Sequence, residues 1–114
     1  MWTIYHNPRC SKSRQTLQLL QENGVEPEVV LYLETPPSAE NLKEILIKLG
    51  ISARDLLRTG EEPYKQLNLK DRDLSEAQLI DAMAQNPILI QRPIVVKGDK
   101  AAIGRPPENV LELL

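Results

Sequence analysis

The chain has 114 residues, with 14 basic and 16 acidic side chains and a formal net charge of −2. That is one domain with a single modest core, and bulk charge gives nucleic acid no attraction to it. The 41% hydrophobic and 26% charged content excludes a disordered tail, and the absence of a run of roughly 18 apolar residues excludes a membrane-spanning helix.

The first residues, Met1-Trp2-Thr3-Ile4-Tyr5-His6, lack the basic start and apolar core of a secretory signal, so a cytoplasmic location is expected, where a free thiol stays reduced. Met1 to Tyr5 alternates weakly and predicts a first strand, followed by the polar loop His6-Asn7-Pro8-Arg9-Cys10-Ser11. Leu17, Leu19 and Leu20 then form a helical stripe that Asn23-Gly24 stops. The continuous apolar run Val29-Val30-Leu31-Tyr32-Leu33 predicts a strand covered on both faces. Strand, loop, helix and strand make a βαβ unit.

Pro36-Pro37-Ser38 ends that unit and caps a helix whose Leu42, Ile45, Leu46 and Leu49 fall at i, i+3, i+4 and i+7 before Gly50. Ser52 is placed to cap a short helix to about Arg58, residues 63–69 hold another turn or two, and Ser75-Glu76-Ala77-Gln78 is a capping box ahead of Leu79, Ile80 and Met83. Pro93-Ile94-Val95-Val96, a Lys97-Gly98-Asp99-Lys100 turn and Ala101-Ala102-Ile103 predict an antiparallel hairpin. A last helix is expected from Pro106-Pro107-Glu108, carrying Val110, Leu111 and Leu114. The order gives an α/β, thioredoxin-like (glutaredoxin-like) mixed four-stranded sheet, one domain over residues 1–114 with a helical insertion at about residues 36–86 before the closing β-hairpin. With no Phe and 4% aromatic residues, Leu, Ile and Val must fill its core.

Cys10 is the only cysteine, which rules out an internal disulfide and a multi-cysteine zinc site. It stands where a loop turns into a helix, and the unpaired N–H groups and dipole of a helix start favour a thiolate. Arg9, Lys12 and Arg14 add positive charge, Ser13 a hydroxyl, and His6 is the only histidine. The same N–H groups suit a tetrahedral oxyanion such as phosphate, sulfate or arsenate. Against this, a lone cysteine is ordinarily a small buried hydrophobe, although Arg9, Ser11, Lys12 and Ser13 do not belong to a core stripe. Arg58 ends a short helix, Arg92 precedes Pro93, and Arg105 sits between Gly104 and Pro106. In a thioredoxin-like sheet the Arg92–Pro93 bond faces the first loop, where a cis peptide fits. Three guanidiniums around an oxyanion at Cys10 is one reading and solvated surface arginines the other; spacing does not choose between them. Tyr5, Tyr32, Tyr64 and Trp2 read as packing residues with polar edges. There is no glycine-rich phosphate loop, HExxH or nucleophile-elbow serine, and one histidine builds no His-based metal site. No metal or bound cofactor is expected.

Ile4-Tyr5-His6-Asn7-Pro8-Arg9-Cys10 with Ser13-Arg14, Leu31-Tyr32-Leu33-Glu34 with Pro36-Pro37, Leu56-Leu57-Arg58, Glu62-Pro63-Tyr64, Arg92-Pro93-Ile94-Val95-Val96 and Arg105-Pro106 together strongly resemble the glutaredoxin-coupled arsenate reductases, the ArsC family. The resemblance implies that Cys10 is a nucleophile toward arsenate, that Arg58, Arg92 and Arg105 bind the oxyanion, and that His6 and Ser13 tune the thiolate. It further implies glutathione as co-substrate and glutaredoxin as partner; a monomer is expected. Ser11-Lys12 replaces the Gly-Thr of the best-known members, and no tail follows Leu114, so the chain looks most like the shorter YfgD-like branch. Two other functions stand beside this one. Cys10-Ser11-Lys12-Ser13 reads as C-x-x-S, which suits a monothiol glutathione-dependent oxidoreductase acting on another oxyanion or a mixed disulfide. A Spx-like RNA polymerase-binding regulator shares the fold but typically carries C-x-x-C.

Overall fold

The computed structural model describes residues 1–114, which sort into two compact units, Met1–Thr35 with Arg92–Leu114, and Pro36–Gln91. In the first unit the strands are β1 (Trp2–His6), β2 (Glu28–Leu31), β3 (Ile94–Lys97) and β4 (Lys100–Ile103), with α1 (Ser11–Glu22) between the first two. They form one mixed sheet in the order β2-β1-β3-β4, the thioredoxin-like arrangement. β1 runs parallel to β2, which a tight turn cannot connect, so α1 serves as the crossover. β3 is antiparallel to both β1 and β4. The β3–β4 turn has Gly98 at φ 59, the positive value that the first central position of a II′ hairpin turn demands.

Register decides which residues become core. Ile4 pairs with Val95, and Val95 with Ala102, so the three share a face of the sheet. Leu20 of α1 and Val110 and Leu113 of the C-terminal segment pack over that face, with Trp2 at its margin. Lys97 Nζ lies 5.1 Å from the Trp2 ring centroid and donates to the Leu113 carbonyl at 2.9 Å, tying the sheet to the chain's last turn.

The helical unit contains α2 (Ala39–Leu49), α3 (Ala53–Leu56), α4 (Glu62–Gln66) and α5 (Glu76–Gln85), then a 3-10 turn at Pro87–Leu89. Ser38 caps α2 by accepting from the Asn41 N–H at 3.1 Å, and Gly50 ends it at φ 70. The Ser75–Gln78 capping box is complete, at 2.7 and 3.1 Å. Leu42, Ile45, Leu46, Leu79, Ile80 and Met83 are buried. Arg54 holds the following loop by donating to the carbonyls of Leu69 and Asp71 at 2.9 and 2.8 Å. A bridge between Leu57 and Ile90 and the Gln91 N–H to Leu56 carbonyl bond of 2.9 Å bind residues 87–91 into this unit. No helix is long and apolar enough to cross a membrane.

Three elements differ from the sequence expectation. The run after residue 28 is not covered on both faces: β2 is an edge strand, and Val29 and Leu33 are 43% and 42% exposed. An apolar run records composition, and the sheet order determines whether a neighbour covers it. The last helix is a 3-10 helix, Pro107–Leu113, burying Pro107, Val110 and Leu113. That spacing of three is the face of a three-residue turn, and it leaves Leu114 exposed. The helix after Ser52 stops at Leu56 because Leu57 turns extended to pair with Ile90.

Gly104 follows β4 where two elements converge on it. A Cβ there would lie 2.5 Å from Thr16 Oγ1 and 2.9 Å from Pro93 Cγ, and Thr16 is fully buried with its hydroxyl donating to the Lys12 carbonyl at 2.8 Å. Neither neighbour can swing away. Gly104→Ala is expected to lower stability by about 1–3 kcal/mol in denaturant unfolding. Gly60→Ala, where nothing lies within 4 Å, is the control expected to show no comparable loss.

Candidate active site

The strand directions bring the chemistry to one end of the sheet. The parallel strands β1 and β2 both finish there, at His6 paired with Leu31, while the antiparallel β3 begins there, Ile94 facing Tyr5 and Ile103. Chain segments leaving or entering at that end carry Cys10, Tyr32, Arg92 and Arg105.

Cys10 is the N-cap residue of α1, extended at φ −96, ψ 122, and it is 8% exposed. The loop before it is braced by its own backbone. The Cys10 N–H donates to the Asn7 carbonyl at 3.0 Å and the Arg9 N–H to Asn7 Oδ1 at 3.0 Å. Arg14 Nη1 donates to the Pro8 carbonyl at 2.8 Å. Ser13, fully buried, accepts from the Asn7 N–H at 3.0 Å and shares a 2.6 Å hydrogen bond with His6 Nδ1. His6 and Ser13 side chains therefore join the end of β1 to the first turn of α1.

Burial pushes the Cys10 thiol up, but the Ser13 N–H, the Arg92 guanidinium as donor and as charge, and the Lys12 N–H pull it down by more, so it lies below its ordinary value. The thiol makes no fully formed cap hydrogen bond; the helix N–H groups act on it as dipoles. Arg105 Nη2 comes within 3.9 Å of Sγ, and Arg105 Nε donates to the Arg92 carbonyl at 2.8 Å, so one arginine is oriented by the backbone of the other. The Arg92–Pro93 and Arg105–Pro106 peptides are both cis.

The sequence assigned positive charge near the thiol to Arg9, Lys12 and Arg14. Their side chains are exposed, and among the groups acting on Cys10, Lys12 counts only through its N–H. Arg14 instead joins burial, the larger cause, in lowering His6 below its ordinary 6.5. Ser13 reaches Cys10 through its backbone while its hydroxyl serves the loop. Arg58 belongs to the helical unit, where its N–H donates to the Leu89 carbonyl at 2.7 Å and its Nη2 stands 3.4 Å from the Glu61 carboxylate.

Tyr32 reads in the sequence as a packing residue with a polar edge. It is 1% exposed, and its hydroxyl is buried without a hydrogen-bond partner, as is Arg92 Nε. Beside the loop a groove of about 330 Å³ is bordered by Asn7, Arg9, Leu31, Leu33 and Glu34, among others.

A mixed thioredoxin-like sheet that presents a single lowered-pKa cysteine at a helix start, faced by two arginines from the opposite strands, defines a thiol-based α/β protein. The ArsC family model matches residues 5–113, and the chain belongs to that family. It is 65% identical over 112 residues to the uncharacterized protein YfgD of Escherichia coli K12, covering 97% of this chain and 94% of that one. It is 54% identical over 112 residues to an arsenate reductase of Haemophilus influenzae, with 97% of each chain covered. An arsenate reductase structure from Vibrio cholerae superposes with a TM-score of 0.97 at 54% identity, covering 99% of this chain and 97% of that one. The identities place the chain on the YfgD side of the family, as Ser11-Lys12 indicated.

The alkylation rate of Cys10 is expected to level off at a pH below that of the same thiol in the urea-unfolded chain, and Arg92→Ala to move the midpoint upward. A thiol with a depressed folded pKa adds stability fully above its unfolded value and loses it as pH falls through the folded value. His6 is expected to titrate below 6.5 by NMR. Its neutral form is the one that folding favours, so its contribution is lost as pH drops below that value.

Proposed function

We propose that this protein is an arsenate reductase that uses Cys10 as its nucleophile and takes its electrons from glutathione, with glutaredoxin completing the cycle. The observation that carries the reading is the set of donors around one activated thiol, namely the Ser13 and Lys12 N–H groups, Arg92, and Arg105 Nη2 at 3.9 Å from Sγ. Relatives at about half identity named arsenate reductases support the substrate.

The Cys10 thiolate attacks arsenic(V), an S–As bond forms and one oxygen leaves as water after protonation. Arg92 and Arg105 offset the charge of the remaining arsenate oxygens as the bond forms. A glutathione thiolate then attacks the Cys10 sulfur. The S–S bond forms, the S–As bond breaks, and its electron pair reduces arsenic to arsenite. Glutaredoxin thiol attacks the glutathione sulfur of that disulfide and frees the Cys10 thiolate, and a second glutathione thiol attacks the glutathionylated glutaredoxin, releasing glutathione disulfide and the glutaredoxin thiol. The net change is arsenate and two glutathione thiols to arsenite, glutathione disulfide and water. The groove beside the loop is the proposed seat for glutathione, whose carboxylates complement Arg9 and whose ammonium complements Glu34. Arg58 is assigned to the oxyanion by family resemblance alone.

In an assay coupling arsenate, glutathione and glutaredoxin to reductant consumption, wild-type protein is expected to turn over and Cys10→Ser to fall to background. Arg92→Ala and Arg105→Ala should each raise KM about ten-fold or more, the scale of one lost charge-assisted hydrogen bond. Equal rates for wild type and Cys10→Ser would refute the reading. Mixed-disulfide reduction that survives loss of both arginines, without arsenate turnover, would replace it with monothiol exchange.

A further inference from the structure

Tyr32 immediately follows β2, whose last residue, Leu31, is paired with His6 at the end of β1. It therefore stands next to the loop that delivers Cys10. The side chain is 1% exposed, yet its hydroxyl has no hydrogen-bond partner. A phenylalanine would fill the same space without burying that group, and native structures seldom keep an unpaired buried hydroxyl without a use for it.

The groups facing the phenol are Arg92 and Asn7, which approach its oxygen from donor positions without a formed hydrogen bond, and Cys10. Arg92 also holds a buried unpaired donor, Nε, and Arg105 Nη2 and the first N–H groups of α1 converge on the same sulfur. This end of the sheet is thus rich in donors, and the sulfur is the acceptor they share. Burial raises the phenol above its ordinary value, partly offset by Arg92, so the hydroxyl keeps its proton through the neutral range and remains a donor. An anion with several oxygens supplies the acceptors that these groups lack.

We propose that Tyr32 is an oxyanion-binding residue, its buried hydroxyl donating a hydrogen bond to an oxygen of the tetrahedral anion held at Cys10. The assignment rests on the arsenate reading above and adds a neutral donor to the arginines. An uncharged donor of fixed reach selects an oxygen by position, whereas guanidiniums attract the anion from a distance. Tyr32 is also rigid, with its ring enclosed, so it is set before the anion arrives.

The test uses the full chain and arsenate without reductant, measuring how arsenate protects Cys10 from iodoacetamide. Wild type is expected to be protected, and Tyr32→Phe to need about ten-fold more arsenate. Without arsenate the variant should keep the wild-type pH midpoint for alkylation and unfold thermally at the same or a higher temperature, because the hydroxyl proton has no internal acceptor to lose. Equal protection in the two proteins would overturn the assignment while leaving arsenate binding intact. A lower unfolding temperature for Tyr32→Phe without arsenate would also overturn it, since the hydroxyl would then have a structural partner. Failure of arsenate to protect even wild type would bring down the arsenate reading and this assignment together.

Discussion

A thiol buried at 8% exposure should be a poor nucleophile, since removal from water favours its neutral form. The rest of the first unit is arranged around overcoming that penalty. α1 begins at Cys10, so its first N–H groups point at the sulfur, and the antiparallel return of β3 places Arg92 opposite. The continuation of β4 brings Arg105 to 3.9 Å. None of these positions is independent of the sheet. Reversing the direction of β3 would carry Arg92 to the far end, and the remaining helix dipoles would face a buried sulfur without a cation. The order β2-β1-β3-β4, with its parallel and antiparallel pairs, is the constraint that makes one end of the sheet donor-rich.

The loop from β1 to α1 shows how that geometry is kept rigid without using the reactive groups themselves. His6 and Ser13 spend their side chains on each other, Ser13 also on the Asn7 N–H, Arg14 on the Pro8 carbonyl and Asn7 on the Arg9 N–H, while the Asn7 backbone carbonyl takes the Cys10 N–H. Each bond spans only a few residues, yet together they fix the direction in which α1 departs. A neutral His6 suits this task, because protonation would place a cation beside Arg14 in a poorly solvated position. The side chains flanking the cysteine thus act by orienting the helix start, and the sulfur is stabilised as a thiolate by the N–H groups of that start together with Arg92, more than eighty positions away in sequence.

This division explains what was legible in the sequence. Local codes were readable: Ser38 and Gly50 bounding α2, the Ser75–Gln78 box, and the Gly98 turn each depend on neighbours within four residues. The βαβ start and closing hairpin followed from these, and with them the thioredoxin-like class. Quantities set by distant partners were not readable. Val29 and Leu33 have the composition of a central strand, but lie at or beyond an edge. Val110 fits α and 3-10 patterns alike until Pro107 and Leu113 are seen buried with it. Arg14 is nearer to Cys10 in sequence than Arg92 is, and proximity along the chain was the wrong guide to which arginine acts on the thiol. Tyr32 sits inside an apolar run, where a tyrosine and a phenylalanine give the same periodicity; only the enclosed, unpaired hydroxyl separates them.

A single cysteine makes the same point about chemistry that the sheet makes about geometry. An enzyme with a second internal thiol can break its own covalent intermediate, and its active site can close around both sulfurs. Cys10 has no such neighbour in the chain, and under the reductase reading a thiol from solution must therefore reach its sulfur. The groove flanked by Arg9 and Glu34 lies beside the loop, and neither Arg92 nor Arg105 borders it. Arg92 and Arg105 come from the ends of β3 and β4, the first N–H groups of α1 and Tyr32 follow β1 and β2, and the groove is bordered by the ends of β1 and β2, so all four strands contribute to the surroundings of one sulfur. Under the reductase reading, the mixed sheet gathers both reactants at one sulfur because β3 enters at the end where β1 and β2 leave, so that Arg92 meets the loop and helix start that carry Cys10.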